Sequence, residues 1–179
     1  MTSADNAVLF LHHEFDSLGR SPFEAKTIAS IVKDLLDNGV AEDDIAIITP
    51  YRAQVREIKM ALCQKGLVEE YGQPSILVDT IERMQGQERR YILFSLSNSN
   101  PSEVEDRLDF FYNANRLNVA LTRANTKCIV IANEKVFQLC NPDTRKDSNN
   151  KKLVEGQDAF WNYFKLANKM YAKTQNDEW

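Results

Sequence analysis

Three polar clusters carry the residue types that could do chemistry in this chain. They lie at 49–54, 78–90 and 115–124, and each borders a run of apolar residues. The second cluster mixes carboxylates, amides and arginines around Gly86, whose missing side chain permits close approach of the backbone to a ligand. Such a loop suits contact with ribose, phosphate or metal-bound water, although a solvated charged turn would have a similar composition.

The first cluster has two explanations. Thr49, Pro50, Tyr51 and Arg52 directly follow a predicted strand, and the carboxyl edge of an open α/β sheet is where ligands bind. The same residues also fit the start of a helix, with Thr49 as the N-cap and Pro50 at the first helical position. One segment can satisfy both descriptions. We expect all three clusters to lie at the carboxyl ends of strands.

The third cluster contains two arginines at helical spacing. Arg116 and Arg123 are separated by about two helical turns, so they would share one face, with Leu117, Leu121 and Ala124 forming the buried stripe. Two guanidinium groups on one face suit a phosphate-bearing partner, because each can donate two parallel hydrogen bonds. An ordinary solvated helix face fits the spacing equally well.

Other kinds of site are not expected. The chain has no G-x-x-x-x-G-K-S/T loop, so it cannot by itself hold the β- and γ-phosphates of a nucleotide. His12 and His13 have no carboxylate or cysteine at metal-ligand spacing, which favours a structural role and predicts no metal site. The three cysteines form no C-x-x-C pair, which argues against zinc and against disulfides.

Composition favours one globular domain. The 179 residues are 43% hydrophobic and 27% charged, and the net charge of −4 means that any contact with nucleic acid must be local. No apolar run reaches the roughly 18 residues that a membrane span needs. The first fifteen residues do not resemble a signal peptide, and the unpaired cysteines suit a reducing compartment, so we expect a cytoplasmic protein without a membrane partner.

Apolar runs alternate with helical patterns along the chain. The runs are apolar on both faces, which is typical of a parallel sheet covered by helices on each side, and we predict an α/β fold. A helix begins at Ser21-Pro22, with Glu24 placed to close a capping box, and it ends at Gly39; a second helix ends before Gly66. The predicted strands are 7–11, 45–48, 76–78, 91–96 and 128–132.

The C-terminal part is predicted to consist of a polar loop followed by a helix. Residues 141–152 contain no large apolar side chain and are expected to form a mobile polar loop. Phe160, Phe164, Ala167 and Tyr171 have helical spacing, so residues 153–179 are expected to form an amphipathic helix packed on the domain that residues 1–140 build.

Taken together, the clusters resemble the motifs of a known family. Residues 48–54 (ITPYRAQ), 78–88 (VDTIERMQGQE) and 115–124 (NRLNVALTRA) resemble motifs IV, V and VI of superfamily 1 helicases, and 21–32 resembles the helix that precedes motif IV. The resemblance covers about 7–140 and points to the 1B branch, of the DNA2/NAM7 and nonsense-mediated-decay type. It implies the second RecA-like domain of such a helicase, within the P-loop superfamily but without its own phosphate-binding loop.

The resemblance implies a nucleotide site shared with another domain. ATP with Mg²⁺ would be held mainly by an N-terminal RecA-like domain that supplies the Walker motifs, and Arg123 would be the arginine finger that reaches the γ-phosphate. Glu88 would lie near the ribose and γ-phosphate, and Gln85 and Gly86 would shape that loop. Arg116 would support motif VI. Val55 stands where some relatives have a second finger, so Arg52 or Arg56 would have to replace it.

The resemblance also implies a track for single-stranded DNA or RNA. Thr49, Pro50 and Tyr51 would contact the strand, and Asp79 with Thr80 would couple the track to the ATP site. The chain would be part of an ATP-dependent helicase, inactive by itself. The alternatives are a RecA-like binding module without motor activity and, less well supported, an exonuclease-associated ATPase.

Overall fold

The fold is built on a six-stranded sheet in which every pair of neighbours is parallel. The computed structural model describes residues 8–68, 75–84, 88–100, 103, 124–145, 147, 149–166 and 168–171. The spatial order of the strands is β3-β2-β4-β5-β1-β6. This confirms the predicted α/β class. The strands are Val8–His13 (β1), Ile45–Thr49 (β2), Leu77–Thr80 (β3), Arg89–Ser95 (β4), Ala124–Asn133 (β5) and Asn168–Tyr171 (β6).

Helices cover both faces of the sheet. Alternate residues of each strand point to opposite faces, so Leu9 and Leu11 of β1 join one core while Phe10 joins the other. This explains why the strand sequences are apolar throughout. The first core lies under Pro22–Asp37 (α1) and Arg52–Gln64 (α2), and the second lies under Glu134–Gln138 (α3) and Lys151–Leu166 (α4). No helix among the described residues has both the length and the apolar character to cross a bilayer.

The start of α1 differs from the predicted capping box. Ser21 is the N-cap, and its hydroxyl accepts a hydrogen bond from the Glu24 backbone N–H at 3.2 Å, as predicted. The Glu24 carboxylate does not accept a hydrogen bond from the Ser21 backbone N–H. It accepts hydrogen bonds from donors at the ends of β1 and β4 instead. The Ser21 N–H instead donates to Gln54 Oε1 at 2.7 Å. At the other end, Gly39 has φ +81° and ends the helix as predicted.

The segment between β2 and α2 is also different from the predicted helix start. Thr49 is the last residue of β2, because its backbone continues the pairing with β3 opposite Thr80. Pro50 lies outside the helix, and Tyr51 is the N-cap of α2. The interpretation of Thr49 as a cap is therefore wrong, and the description of this segment as following a strand is correct.

The C-terminal region contains one element that the sequence did not suggest. The helix α4 begins at Lys151, two residues inside the segment predicted as a loop, and it ends at Leu166. Tyr171 belongs to β6, which pairs with β1 and satisfies backbone groups that an edge strand would leave open. The prediction of a continuous helix to residue 179 is therefore wrong at Tyr171. Ala167 lies outside the described residues.

Four phenylalanines hold α4 on the sheet. Phe160 and Phe164, one helical turn apart, stack on Phe137 of α3 with ring centroids 5.4 and 4.5 Å away. Phe10 of β1 meets Phe137 edge to face at 5.1 Å. Arg145 also pairs with Asp158 at 2.7 Å, which ties the polar segment to the helix.

Phe160→Ala should therefore destabilise the domain by about 3–5 kcal/mol, since it removes a fully buried ring from an aromatic cluster. Urea unfolding followed by circular dichroism measures the change. Met60→Ala, at a position 46% exposed on α2, is the control and should shift the free energy of unfolding by less than about 0.5 kcal/mol. Equal midpoints for Phe160→Ala and the wild type would show that α4 does not pack on the sheet.

Candidate functional site

A buried carboxylate organises the carboxyl edge of the sheet. Glu24 is fully buried, and its oxygens accept hydrogen bonds from Ser95 Oγ at 2.6 Å and from the Ser97 N–H at 3.1 Å. His13 Nε2 lies 3.1 Å from Glu24 Oε1. Because His13 Nδ1 accepts the Phe15 N–H at 3.2 Å, Nε2 carries the ring proton and donates to Glu24. The carboxylate thus joins the ends of β1 and β4 to the first turn of α1.

Gln54 extends this network to α2. Its Oε1 accepts the Ser21 N–H, and its Nε2 donates to Ser21 O at 3.1 Å and to Ser95 Oγ at 3.0 Å. Since Ser95 uses its only proton on Glu24, its hydroxyl oxygen accepts from Gln54. All the polar atoms of Gln54 are therefore used inside the protein. Gln54, the last residue of the predicted motif IV segment, thus holds the first turn of α2.

Tyr51 is placed by contacts on two sides. Its hydroxyl accepts a hydrogen bond from Asn98 Nδ2 at 2.7 Å, and its ring lies against Gly19, where an added Cβ would be 3.2 Å from Cδ1. Gly19 also has φ +73°, a conformation that favours glycine. Thr49 is fully buried, so its side chain does not reach the surface; its Oγ1 accepts the Tyr51 N–H at 3.5 Å. Pro50 and Tyr51 are half-buried.

The first part of the second cluster lies beside Tyr51. Thr49 and Thr80 are partners in the β2–β3 pairing, so motifs IV and V meet at this edge. Thr80 is buried, and its N–H donates to Asp79 Oδ1 at 2.7 Å. Asp79 also pairs with Arg83 at 3.4 Å. Gln85 and Gly86 lie outside the described residues.

The remaining predicted residues do not all lie at this edge. Glu88 is exposed and directly precedes β4, and Ala124 begins β5 opposite Arg89. Both positions are at the amino ends of their strands. Arg90 pairs there with Asp44, which precedes β2, at 3.3 Å. The expectation for the second cluster is therefore only partly correct: Asp79 and Thr80 lie at the carboxyl end of β3, whereas Glu88 lies at the amino end of β4. Residues 115–123 of the third cluster lie outside the described residues, so its place relative to the sheet stays a prediction.

Of the three predicted arginines, only Arg52 is among the described residues. Arg52 is exposed at the first residue of α2, on the carboxyl edge. Arg116 and Arg123 lie outside the described residues. Ala124, predicted as part of a buried helical stripe, is instead the first residue of β5, since strand pairing with Arg89 fixes its backbone as extended.

Sequence reasoning missed the buried network. It assigned Glu24 to a capping box, and it gave His13 a structural role that the burial and hydrogen bonds confirm. The partners of Glu24 are distant in sequence, so only the tertiary structure brings them together. The thiol of Cys128 is equally internal: burial raises its pKa to about 12, which keeps it protonated and unreactive.

Comparison with known proteins gives a direct match over most of the chain. A family described as an AAA domain matches residues 14–135, a range that contains all three motif segments, 48–54, 78–88 and 115–124. The chain belongs to this AAA domain family.

Curated relatives of this AAA domain are helicases by name. DNA polymerase alpha-associated DNA helicase A of Schizosaccharomyces pombe is 37% identical over 61% of the chain, which spans 15% of that protein. The Regulator of nonsense transcripts 1 homolog of Arabidopsis thaliana is 33% identical over 64% of the chain and 9% of its own length. RNA helicase Mov10l1 of Mus musculus is 35% identical over 65% of the chain and 10% of its own length. The resemblance to DNA2/NAM7-type superfamily 1 helicases is confirmed.

Glu24→Ala should cost at least about 3 kcal/mol of the free energy of unfolding, because it leaves the His13, Ser95 and Ser97 donors buried without an acceptor. Chemical denaturation of the two proteins measures the difference. Glu155→Ala, which removes an exposed carboxylate from α4, is the matched control and should have little effect. A loss below about 1 kcal/mol for Glu24→Ala would mean that water replaces the carboxylate at no cost.

Proposed function

We propose that this AAA domain completes the ATP site and the single-strand track of a superfamily 1 DNA or RNA helicase. An N-terminal RecA-like domain with the Walker motifs would bind ATP and Mg²⁺, and the present domain would close over them. The observation that carries the proposal is the division of the motif residues between two edges of one sheet. Tyr51 and Thr80 lie at the carboxyl edge, whereas Glu88 and the start of β5 lie at the amino edge.

The amino edge is the proposed nucleotide side. Ala124, which directly follows Arg123 in the sequence, pairs with Arg89, which directly follows Glu88. This pairing supports one shared site for Glu88 and Arg123. Arg123 would offset the charge that develops on the transferring phosphoryl group, an effect worth roughly 10³–10⁵ in rate in related enzymes. Arg116 would support Arg123, and Gln85 and Gly86 would shape the loop that carries Glu88.

The carboxyl edge is the proposed strand side. Arg52 also lies there, away from Glu88, so we propose a strand contact for it in place of the nucleotide contact that the resemblance implied. Tyr51 offers a half-exposed ring, and base–aromatic stacking tolerates any sequence. Pro50 would contact the strand directly, while the buried Thr49 would act by holding Tyr51. Asp79 and Thr80 end β3 beside this site, and the same segment continues to Glu88 at the other edge. That continuity is a physical route by which ATP closure would move the strand contacts.

The competing function is a binding module without motor activity. Such a module would need the carboxyl edge alone, and it would have no use for Glu88 and Arg123. Both residues are present in this sequence, at the motif V and motif VI positions where a motor domain needs them. A binding module would also bind single strands in a salt-dependent way without any response to ATP.

Arg123→Ala in the helicase that contains this domain should lower strand-stimulated ATP hydrolysis by about 10³-fold or more while ATP binding persists, because the arginine acts on transition-state charge. Steady-state hydrolysis and nucleotide binding are measured on the same preparations. Lys59→Ala, at an exposed position on α2, is the control and should hydrolyse ATP like the wild type.

The isolated 179-residue chain should show no hydrolysis, since it contains no phosphate-binding loop. If Arg123→Ala hydrolyses ATP at the wild-type rate, the arginine-finger role is wrong and the binding module becomes the better interpretation.

A further inference from the structure

The polar segment 97–100, shortly after β4, contains a fully buried asparagine, Asn98. Its Oδ1 accepts a hydrogen bond from the Asn100 N–H at 2.9 Å. This contact identifies the oxygen end of the amide, so Nδ2 is the atom that faces Tyr51 and donates to its hydroxyl at 2.7 Å. Nδ2 also donates to Glu103 Oε2 at 3.3 Å. Three hydrogen bonds therefore fix the orientation of the Asn98 amide.

The backbone is anchored on both sides of Asn98. The Ser97 N–H donates to the buried Glu24 carboxylate at 3.1 Å. On the other side, the Ser99 N–H donates to Ser17 O at 2.9 Å, and Ser99 Oγ accepts the Ser17 N–H at 2.8 Å. Asn98 is thus held by the rigid interior of the domain, and its side chain has no freedom to follow a moving Tyr51.

Ser97 has an unusual backbone conformation. Its φ is +46°, in the left-handed region that residues with a side chain rarely adopt. Its Oγ is buried and has no hydrogen-bond partner among the described residues, so the serine side chain does not hold this conformation. Strain of this kind persists where surrounding contacts impose it, and it is concentrated at functional sites. What the turn provides is the position of the next residue, Asn98.

The Tyr51 ring is held at two points as a result. Asn98 holds its hydroxyl, and Gly19 lies against one side of the ring, where an added Cβ would be 3.2 Å from Cδ1. The residue is nevertheless only half-buried. A ring that already has one orientation loses little conformational entropy when a base stacks on it, and such pre-organisation increases affinity.

We propose that Asn98 is a positioning residue for single-strand binding, which holds the Tyr51 ring through its hydroxyl in the orientation that stacks on a base. The proposal rests on the single-strand track described above. It makes tyrosine, rather than phenylalanine, the residue that the track requires at position 51. The loss of one such neutral hydrogen bond should lower affinity roughly three- to tenfold.

The test is the affinity of the proposed helicase for a labelled oligothymidylate, measured by fluorescence anisotropy at fixed salt. Tyr51→Phe keeps the ring and removes the hydroxyl, whereas Asn98→Ala removes the donor. Each should raise the dissociation constant roughly three- to tenfold. The double variant should bind no more weakly than either single variant, because both changes remove the same hydrogen bond.

An abasic strand of the same length separates positioning from a general loss of structure. It keeps the phosphates and sugars but has no base to stack, so Tyr51→Phe and Asn98→Ala should bind it like the wild type. Tyr91→Phe and Asn149→Ala are the matched controls, since they make the same chemical changes at a half-buried and at an exposed position. Both controls should bind both strands like the wild type.

Wild-type affinity of Tyr51→Phe for oligothymidylate would overturn the positioning role of Asn98. Additive losses in the double variant, or equal losses for the abasic strand, would overturn it too. Tyr51→Phe removes a single oxygen atom, so it keeps the test decisive even where Asn98→Ala fails to fold. Weaker binding by Tyr51→Ala would leave the track standing in each case, whereas wild-type binding by Tyr51→Ala would overturn the strand contact as well.

Discussion

Parallel pairing of neighbouring strands forces the chain to return to the opposite edge of the sheet before it can form the next strand. A segment that follows a strand and a segment that precedes one therefore lie at opposite edges. Here Tyr51 follows β2, whereas Glu88 precedes β4 and Arg123 precedes β5 in the sequence. The motif order along the chain thus becomes a spatial order, with proposed strand contacts on one side and proposed nucleotide contacts on the other. In the sequence, the short segment from Thr80 to Glu88 connects the carboxyl edge to the amino edge.

The carboxyl edge depends on a second constraint, the buried Glu24 carboxylate. An ionisable group inside a protein is costly unless each of its lone pairs finds a donor. His13, Ser95 and Ser97 supply those donors from different parts of the chain, and Gln54 connects them to α2. A network satisfied in this way has few alternative arrangements, so it fixes the start of α2 and the residue before it, Tyr51. The proposed strand contact is thereby attached to the rigid part of the domain.

Local sequence predicted the elements and their class well. Apolar runs located the strands, because a parallel sheet buries both faces, and Ser21-Pro22 and Gly39 located the ends of α1. The motif resemblance located the family, which the match over 14–135 confirmed. These signals are carried by residues close together in sequence, which is why they could be interpreted without a structure.

What the sequence did not predict depends on contacts between distant residues. The strand β6 is defined by its pairing with β1, which lies more than 150 residues earlier in the chain, and the sequence of Asn168–Tyr171 alone does not indicate this pairing. Glu24 could have closed a capping box, and only the arrival of Ser95 and Ser97 from 71 and 73 residues away decides otherwise. The open cleft lined by Asp16, Ser99 and Lys135 likewise arises where segments after β1, β4 and β5 meet.

The most direct measurement is an experimental structure of the proposed helicase, including this domain, bound to a non-hydrolysable ATP analogue and a single strand. We predict the nucleotide at the amino edge, beside Glu88 and Arg123, and the strand at the carboxyl edge, beside Tyr51. A strand and a nucleotide on the same edge of this sheet would contradict the division of function between its two edges.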